Sequence, residues 1–349
     1  MTAINHSVNR IDWIDAVRAI AIVLVVLTHA HELSNVNNIG TQSLLYSIDR
    51  IGVPLFFMIS GGLLLNKLYL VDKLKFYRKR IPQFIFLLLF YSVLTNSIHF
   101  YFSGLPISEA ITKSFKEYNG IFSQDTGVAV HLWFLYAIIF LYLLAPYLSL
   151  LLVNLSNKEI LVILLVLLFL HQFAYTLNFF NFPIMLIERM KYDLHLSYVF
   201  YFIFGYYFID RNIINTKKWI NVFLAMCLLI IPIIFLYYYE SKKQQFIGEF
   251  HWYATSIFIA CSSVGAIILL KAYFEKRTYP LLTKIARYSF GIYLIHYAVM
   301  LFAIGIFKNS FNHFHWYEKT LFLLIISILV SYFLTYWLSK MKRFRYLVM

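Results

Sequence analysis

Charged residues are scarce in this sequence. Asp, Glu, Lys and Arg make up 13% of its 349 residues, whereas hydrophobic residues make up 61%. Soluble domains carry about a quarter charged and about half apolar residues, so the composition excludes an ordinary soluble protein. Strands of alternating polarity are absent, and most apolar runs are long enough for a helix to cross the roughly 30 Å hydrocarbon core. The sequence therefore predicts an all-α, polytopic membrane helical bundle.

Several chemical signatures are also missing. The only cysteines are Cys227 and Cys261, both in apolar segments, so neither a disulfide framework nor a thiolate metal site is expected. No H-E-x-x-H motif and no glycine-rich nucleotide loop occur, so neither a metal nor a bound cofactor is predicted. The N-terminus has no charged region followed by a cleavage site, so the first helix is expected to insert uncleaved.

About ten membrane helices are predicted from the apolar runs. The second and sixth begin with polar residues and have the weakest signal. The predicted spans are 14–32, 47–66, 81–102, 131–153, 159–177, 194–210, 219–239, 250–271, 288–307 and 318–339. No repeat or low-complexity linker interrupts them, so residues 1–349 are predicted to form a single membrane domain. The longest external connection, 103–130, is either a cover for a pocket or a mobile loop.

Both termini are predicted to be cytoplasmic, because Lys and Arg are distributed unevenly. The N-terminus, the alternate connections and the C-terminus carry 20 of the 30 basic residues, the other side carries nine, and Arg18 lies within a span. Basic residues accumulate on the cytoplasmic side of membrane proteins. The net charge of +14 is therefore explained by topology, and no nucleic acid partner is expected.

The first apolar helix carries a polar stripe. Arg18 and His29 are eleven residues apart, which places them on one helical face about 16 Å apart along the axis. Asp15 and Glu32 lie within about 60° of that face, whereas His31 points almost the opposite way. An ionisable residue inside a membrane span usually faces an interior or a cavity, which favours a functional site. The alternative is an interfacial Asp15–Arg18 ion pair with His29 as a polar cap.

A basic triplet, Arg78 to Arg80, directly precedes Ile81-Pro82. Arginine offers bidentate donors to phosphate, and a helix N-terminus adds partial positive charge, so the triplet could bind phosphate at a helix start. The alternative is a topology signal or attraction to anionic membrane lipid.

Other polar residues interrupt apolar spans. Ser60 lies in a Gly-rich helix without a nucleophile elbow, which favours a packing or hydrogen-bonding role over a nucleophile. Trp133 lies at the start of the fourth span. In the ninth span, whose cytoplasmic end is predicted at Arg287, a shared face carries the residues Ser289, Tyr293 and His296.

These landmarks together resemble the integral-membrane acyltransferase 3 family. The resemblance covers nearly the whole chain and rests on WIDAVRA leading into the Arg18-x10-His29 pattern, VPLFFMISG at 53–61, Arg78-Lys79-Arg80-Ile81-Pro82, HLWFL at 131–135 and YSFGIYLIH at 288–296. Within the family, the combination is most similar to compact members that O-acetylate enterobacterial common antigen and to relatives that act on biofilm polysaccharide. An appended esterase-like domain, present in some members, is not expected.

The resemblance implies a multi-pass enzyme of the bacterial cytoplasmic membrane. An acyl group, usually acetyl, passes from acyl-CoA, a donor substrate, to a hydroxyl of a surface glycan or its lipid-linked precursor. Arg18 and His29 correspond to the family's essential pair, and Arg78 and Arg80 to its basic motif for acyl-CoA. His29 is expected to act as general base or transient acyl acceptor. Arg18 is expected to stabilise the thioester oxygen or hold CoA.

The remaining polar residues are candidates for the substrate pocket, and Glu32 could orient His29. These candidates are Asp15, Glu32, Ser60, Trp133, Ser289, Tyr293 and His296. The alternative function is a transporter of polysaccharide or lipid-linked sugar, since ten helices and an intramembrane arginine also suit passage of a glycan, although no inverted repeat is visible.

Overall fold

The computed structural model describes residues 12–116, 127–185, 187, 196–311 and 313–348. Within these ranges the chain is helical and contains no strand. The helices are α1 Asp12–Glu32, α2 Ile39–Asp49, α3 Gly52–Leu64, α4 Lys73–Phe102, α5 Ile107–Lys116, α6 Trp133–Val153, α7 Asn157–Leu168, α8 Ala174–Phe179, α9 Leu196–Gly205, α10 Trp219–Lys243, α11 Ile257–Phe274, α12 Pro280–Ile306, α13 Lys308–Phe311 and α14 Trp316–Lys340.

The helices confirm a polytopic bundle. By length and composition, nine helices of the described ranges can cross a membrane, and a shorter apolar helix spans Leu196–Asp210. That shorter helix corresponds to the sixth predicted span, whose first residues, 194 and 195, lie outside the described ranges. Part of the 103–130 connection, residues 117–126, also lies outside them. The eighth predicted span was placed too early, because Gly248–His251 forms a 3-10 turn before α11.

The second predicted span, 47–66, is wrong in its boundaries. The apolar segment is Ile39–Leu64 and is divided into α2 and α3 at Arg50 and Ile51. Pro54 explains the division, because a proline has no backbone N–H and is tolerated only in the first turn of a helix. The division leaves Asp49 at the end of α2 and Arg50 at the junction. Arg50 therefore lies close to Glu32, the last residue of α1.

The sequence predicts the Arg78 to Arg80 triplet and Arg287 at or before the start of a helix. In the structure, both lie within a helix. Helix α4 begins at Lys73, where the Asp72 side chain accepts a hydrogen bond from the Lys75 backbone N–H at 3.1 Å. Arg78 and Arg80 are therefore in the helix, not at its N-terminus, and the expected contribution of the helix end to phosphate binding is wrong. Helix α12 likewise begins at Pro280, which places Arg287 in its third turn instead of at its end.

Helix α1 is the centre of the bundle. It packs against α3, α11, α12 and α14. In its most apolar window 72% of the residues are buried, compared with 17% for α10. A helix enclosed by other helices can keep Arg18 and His29 away from lipid, where an unpaired charge is costly. The polar stripe of α1 therefore faces the protein interior.

Helices α3 and α9 cross with their backbones in direct contact. A methyl group at Gly61 would overlap the backbone of Phe202, and one at Gly205 would overlap the backbone of Met58. Small residues permit such close approach between membrane helices. This crossing fixes the position of α3, which carries several residues of the site described below.

Replacing either of these glycines by alanine is expected to destabilise the bundle. Because backbone atoms cannot rotate away as side chains do, Gly61→Ala and Gly205→Ala should each cost about 1–3 kcal/mol or more. Thermal aggregation in detergent, followed by size-exclusion chromatography, measures the loss. Gly248→Ala is the matched control, since its nearest neighbour, a Phe246 ring carbon, lies 3.9 Å from the added methyl group. Equal melting of all variants would contradict the crossing.

Candidate active site: two cavities joined at His29

An inner cavity brings together the N-terminal halves of α1, α4 and α12. Its volume is about 260 Å³. Three arginines from these helices, Arg18, Arg80 and Arg287, line it, together with Gln83 and Tyr142. Because the three arginines meet at one end of the bundle, α1, α4 and α12 run in the same direction. A concave site with three guanidinium groups is suited to phosphate or another anion.

A narrow gap and an outer cavity continue from the inner cavity along α1. The gap has a volume of about 20 Å³ and shares Val25, Val53, Phe134 and Tyr293 with the inner cavity. The outer cavity measures about 490 Å³ and shares His29, Arg50 and Trp133 with the gap. The three spaces thus follow one another along α1, and His29 lines both the gap and the outer cavity.

His29 is fixed by a carboxylate on its own helix. Its Nδ1 lies 2.8 Å from Glu32 Oε2. The second oxygen of Glu32 accepts hydrogen bonds from Arg50 Nη2 at 2.7 Å and from the Tyr46 hydroxyl at 3.1 Å. Glu32 is thus the acceptor in these contacts, and in the tautomer in which His29 Nδ1 donates to it, the imidazole lone pair lies on Nε2. A base oriented by a carboxylate is the arrangement used in nucleophilic and general-base catalysis.

Arg50 is held at the junction of α2 and α3 by charge and by aromatic rings. Its guanidinium lies over the rings of Tyr46 and Trp252, 4.9 and 5.5 Å from their centroids, and Nη1 donates to the Tyr253 hydroxyl at 3.4 Å. Burial raises the pKa of that hydroxyl well above its usual range, so it stays neutral. Arg50 Nε is buried and has no hydrogen-bond partner within the described ranges.

Aromatic and imidazole rings enclose His29. The His296 ring stacks on it with the centroids 5.5 Å apart, and Tyr297 contacts its edge at 5.2 Å. His296 donates from Nδ1 to the Tyr293 carbonyl at 2.7 Å. The rings therefore restrict the orientation of His29.

Among the described residues, no group of three His, Cys, Asp or Glu side chains is arranged to hold a metal ion.

The outer cavity has an aromatic wall. Trp133, Tyr198 and Trp252 line it, and the Trp133 ring lies 5.8 Å from Tyr198 and 5.2 Å from Trp252. Glu32, Arg50 and His29 supply the polar atoms of the same cavity. Flat aromatic surfaces beside a few fixed polar groups are typical of sites for small organic ligands.

Most of the residues predicted for a pocket line these spaces. Ser60 and Ser289 line the inner cavity, Tyr293 lines both the inner cavity and the gap, and Trp133 lines the gap and the outer cavity. His296 is fully buried behind His29.

Two predicted residues are placed elsewhere. Within the described ranges, Asp15 is buried but does not line the inner cavity, and Arg78 is exposed and does not line it either. Arg78 and Arg80 are about 200° apart around α4, so one cavity cannot take both.

Sequence reasoning missed two arginines of the site. Arg50 was counted only as an external charge, and Arg287 only as a helix end. The Arg50 signal was its position three residues before the VPLFFMISG run, and the Arg287 signal was its helical register with Ser289 and Tyr293. Both residues become part of a site only through contacts between helices distant in sequence.

The family model of an acyltransferase domain, acyltransferase 3, matches residues 11–339. The match covers nearly the whole chain, so the protein belongs to the acyltransferase 3 family and is a multi-pass membrane acyltransferase. Searches of curated proteins and of solved structures returned no match. The family match favours the enzyme over the transporter considered from the sequence.

Proposed function

We propose that this acyltransferase moves an acetyl group from cytoplasmic acetyl-CoA to a hydroxyl of a cell-surface polysaccharide or its lipid-linked precursor, in the bacterial cytoplasmic membrane. The observation that carries the proposal is the succession of three adjoining spaces along α1: the arginine-lined inner cavity, the gap at His29 and the aromatic outer cavity. Donor and acceptor approach from opposite ends and meet at one base. The distribution of basic residues along the sequence supports a cytoplasmic position for the inner cavity.

The inner cavity binds the CoA end of the donor. Arg18, Arg80 and Arg287 pair with its phosphates and polar pantetheine groups, and Ser60 and Ser289 offer hydroxyls to the pantetheine arm. Arg18 lies about 16 Å below His29 along α1. This separation favours binding of CoA by Arg18 over contact with the thioester oxygen beside His29.

His29 is the general base. Its Nε2 takes the proton of the acceptor hydroxyl as that oxygen bonds to the thioester carbon, and Glu32 stabilises the resulting imidazolium. The C–S bond then breaks, and the thiolate receives the proton, giving the ester and free CoA. Transient acylation of the same Nε2 is the alternative route, and the oriented neutral imidazole serves either.

Arg50 is suited to the negative charge that develops on the carbonyl oxygen. It lines the gap with His29, and its buried Nε–H has no hydrogen-bond partner among the described residues. A donor fixed before the reaction stabilises an oxyanion without reorganisation. Arg50 therefore takes the role that the sequence had offered to Arg18.

The outer cavity receives the acceptor. A sugar ring stacks its apolar face on aromatic side chains, and Trp133, Tyr198 and Trp252 present such surfaces beside His29. The resemblance to members that O-acetylate enterobacterial common antigen supports a glycan acceptor of this general class.

Turnover of labelled acetyl-CoA tests the proposal. Membrane vesicles from cells that produce the protein contain both the enzyme and its natural acceptor. Label is expected to enter the glycan fraction with release of CoA, and vesicles that contain His29→Ala protein are expected to show neither. Absence of label from the glycan fraction, with folded protein present, would overturn the polysaccharide acceptor, and absence of acetyl-CoA binding would overturn the donor.

Arg80 and Arg78 form a matched pair for testing donor binding. Because Arg80 lines the inner cavity and Arg78 is exposed, Arg80→Ala is expected to raise KM for acetyl-CoA about tenfold or more. Arg78→Ala removes the same charge at the surface and is expected to raise KM less than about threefold. Steady-state kinetics with varied acetyl-CoA measures both. Equal increases in KM for the two variants would contradict the assignment of donor binding to Arg80 alone.

A further inference from the structure

A buried carboxylate–imidazole pair lies on the side of α1 turned away from His29. His31 Nε2 and Asp49 Oδ2 are 2.7 Å apart, and their side chains are 1% and 0% exposed. The proposed transfer uses neither side chain. Burying both groups costs free energy of desolvation, which a direct hydrogen bond offsets only in a fixed geometry. The pair therefore ties the end of α2 to α1.

Tyr46 connects this pair to the carboxylate of the site. The His31 ring meets the Tyr46 ring edge to face, with the centroids 4.5 Å apart and an interplanar angle of 84°. The hydroxyl of the same tyrosine donates to Glu32 Oε1 at 3.1 Å. Glu32 Oε2 in turn lies 2.8 Å from His29 Nδ1. His31 is thus linked to His29 through Tyr46 and Glu32, although the two histidines are on opposite faces of α1.

A second buried pair holds α2 from the other side. His251 Nε2 lies 2.8 Å from Glu240 Oε2, and both side chains are buried. His251 Nδ1 lies 3.4 Å from Ser47 Oγ, and the His251 ring centroid is 6.0 Å from that of Tyr46. Because α2 lies between the two pairs, it cannot slide or rotate without breaking buried hydrogen bonds. The position of Tyr46 beside Glu32 is therefore fixed.

We propose that His31, Asp49 and Tyr46 are positioning residues of the acyltransferase. The His31–Asp49 pair fixes Tyr46, and the Tyr46 hydroxyl fixes the Glu32 carboxylate that orients His29. The inference rests on the proposed function, which makes His29 the base. Loss of a positioning residue lowers kcat, because a misoriented base is less effective in the transition state. It leaves KM for acetyl-CoA unchanged, because the three arginines of the inner cavity still bind the donor.

Tyr46→Phe tests the hydroxyl alone. The phenylalanine ring keeps the contacts with His31 and with the Arg50 guanidinium, and only the hydrogen bond to Glu32 is lost. Because that bond is made to a carboxylate oxygen, kcat is expected to fall about tenfold, with KM for acetyl-CoA within about twofold of wild type. Steady-state kinetics of label transfer in vesicles from producing cells measures both. Tyr238→Phe is the matched control, since Tyr238 is exposed on α10, and it is expected to leave both constants within about twofold of wild type.

A double-mutant cycle separates positioning from general stability. In Glu32→Gln protein the acceptor is a neutral amide, whose hydrogen bond is about half as strong as that of a carboxylate. If Tyr46 acts through Glu32, adding Tyr46→Phe lowers kcat by about threefold in that background instead of about tenfold. An equal loss in both backgrounds would show that Tyr46 does not act through Glu32 and would overturn the proposal.

His31→Gln and His31→Ala test the buried pair. Glutamine keeps an N–H donor for Asp49, whereas alanine removes the donor. A fall in kcat of about tenfold is expected for His31→Ala and of about threefold for His31→Gln, with KM for acetyl-CoA unchanged in both. Thermal melting in detergent reports the folded fraction, to which kcat is normalised. If His31→Ala does not fold, Asp49→Asn keeps the shape of the side chain and is expected to lower kcat about threefold.

The outcomes separate the two proposals. Transfer by the wild type, with kcat unchanged in Tyr46→Phe and His31→Ala, overturns the positioning role and leaves the proposed function standing. A loss that appears in KM, or that disappears after normalisation to folded protein, does the same. Absence of transfer by folded wild type overturns the proposed function and, with it, the positioning role.

Discussion

Replacing His29 by alanine is expected to abolish acyl transfer while the protein still folds and inserts. His29 lines both the gap and the outer cavity. Among the imidazoles that line these two described spaces, it is the one whose Nδ1 lies within hydrogen-bond distance of a carboxylate. General acid–base catalysis contributes about 10²- to 10⁴-fold, and a loss of acyl acceptance adds to it. The rate of CoA release in the presence of acceptor is therefore expected to fall at least about a thousandfold, measured with labelled acetyl-CoA.

His99→Ala provides the control for this result. His99 lies in the outer half of α4, where its ring contacts only the neighbouring Phe100 among the described aromatic rings. Its loss is expected to leave the rate within about twofold of wild type. Glu32→Gln is informative as well, because it keeps a hydrogen-bond acceptor for Nδ1 but loses the charge, and an intermediate rate is expected. Wild-type activity of His29→Ala would end the assignment of His29 as base or acyl acceptor.

Replacing Arg18 by alanine is expected to cause the second-largest loss. Arg18 is the arginine on the central helix, and it lines the inner cavity together with Arg80 and Arg287. Removing one member of a desolvated charged contact costs about 2–5 kcal/mol, which corresponds to a loss of about thirtyfold to several thousandfold in kcat/KM for acetyl-CoA. Because Arg18 lies far below the reacting carbon, the loss should appear mainly in KM.

Arg18→Lys separates charge from geometry. Lysine keeps the charge but not the planar fork of donors, so partial recovery of acetyl-CoA binding is expected. Titration of labelled acetyl-CoA into nanodiscs measures binding directly, and thermal melting checks that each variant is folded. A loss confined to kcat, with unchanged acetyl-CoA affinity, would instead place Arg18 at the thioester oxygen.

The sequence predicted the stripe on α1 correctly because a stripe is a property of one helix. At 100° per residue, Arg18 and His29 share a face in any straight helix, and the one-turn spacing of His29 and Glu32 places their side chains within contact distance. In the structure, His29 Nδ1 and Glu32 Oε2 lie 2.8 Å apart, as this spacing allows. Local spacing was sufficient for this part of the site.

The basic triplet shows where local reasoning failed. Interpreting Arg78 to Arg80 as a loop before Pro82 allowed both arginines to face one ligand. Helix α4 in fact begins earlier, at Lys73. Within a helix, residues two apart point in nearly opposite directions, so only Arg80 lines the cavity. A proline in a predicted helix start does not by itself locate that start.

The amino-acid sequence determined the membrane class, the helical architecture and the polar face of α1, because hydropathy and helical periodicity are local and strong signals in a membrane protein. Only the tertiary structure decided which arginines face a common cavity and that Arg50 reaches Glu32 at 2.7 Å. It also decided that the Asp49 carboxylate lies 2.7 Å from His31 Nε2. These contacts join helices that are distant along the chain or divided by a break, and their geometry depends on how α3 crosses α9 and how α1 is enclosed.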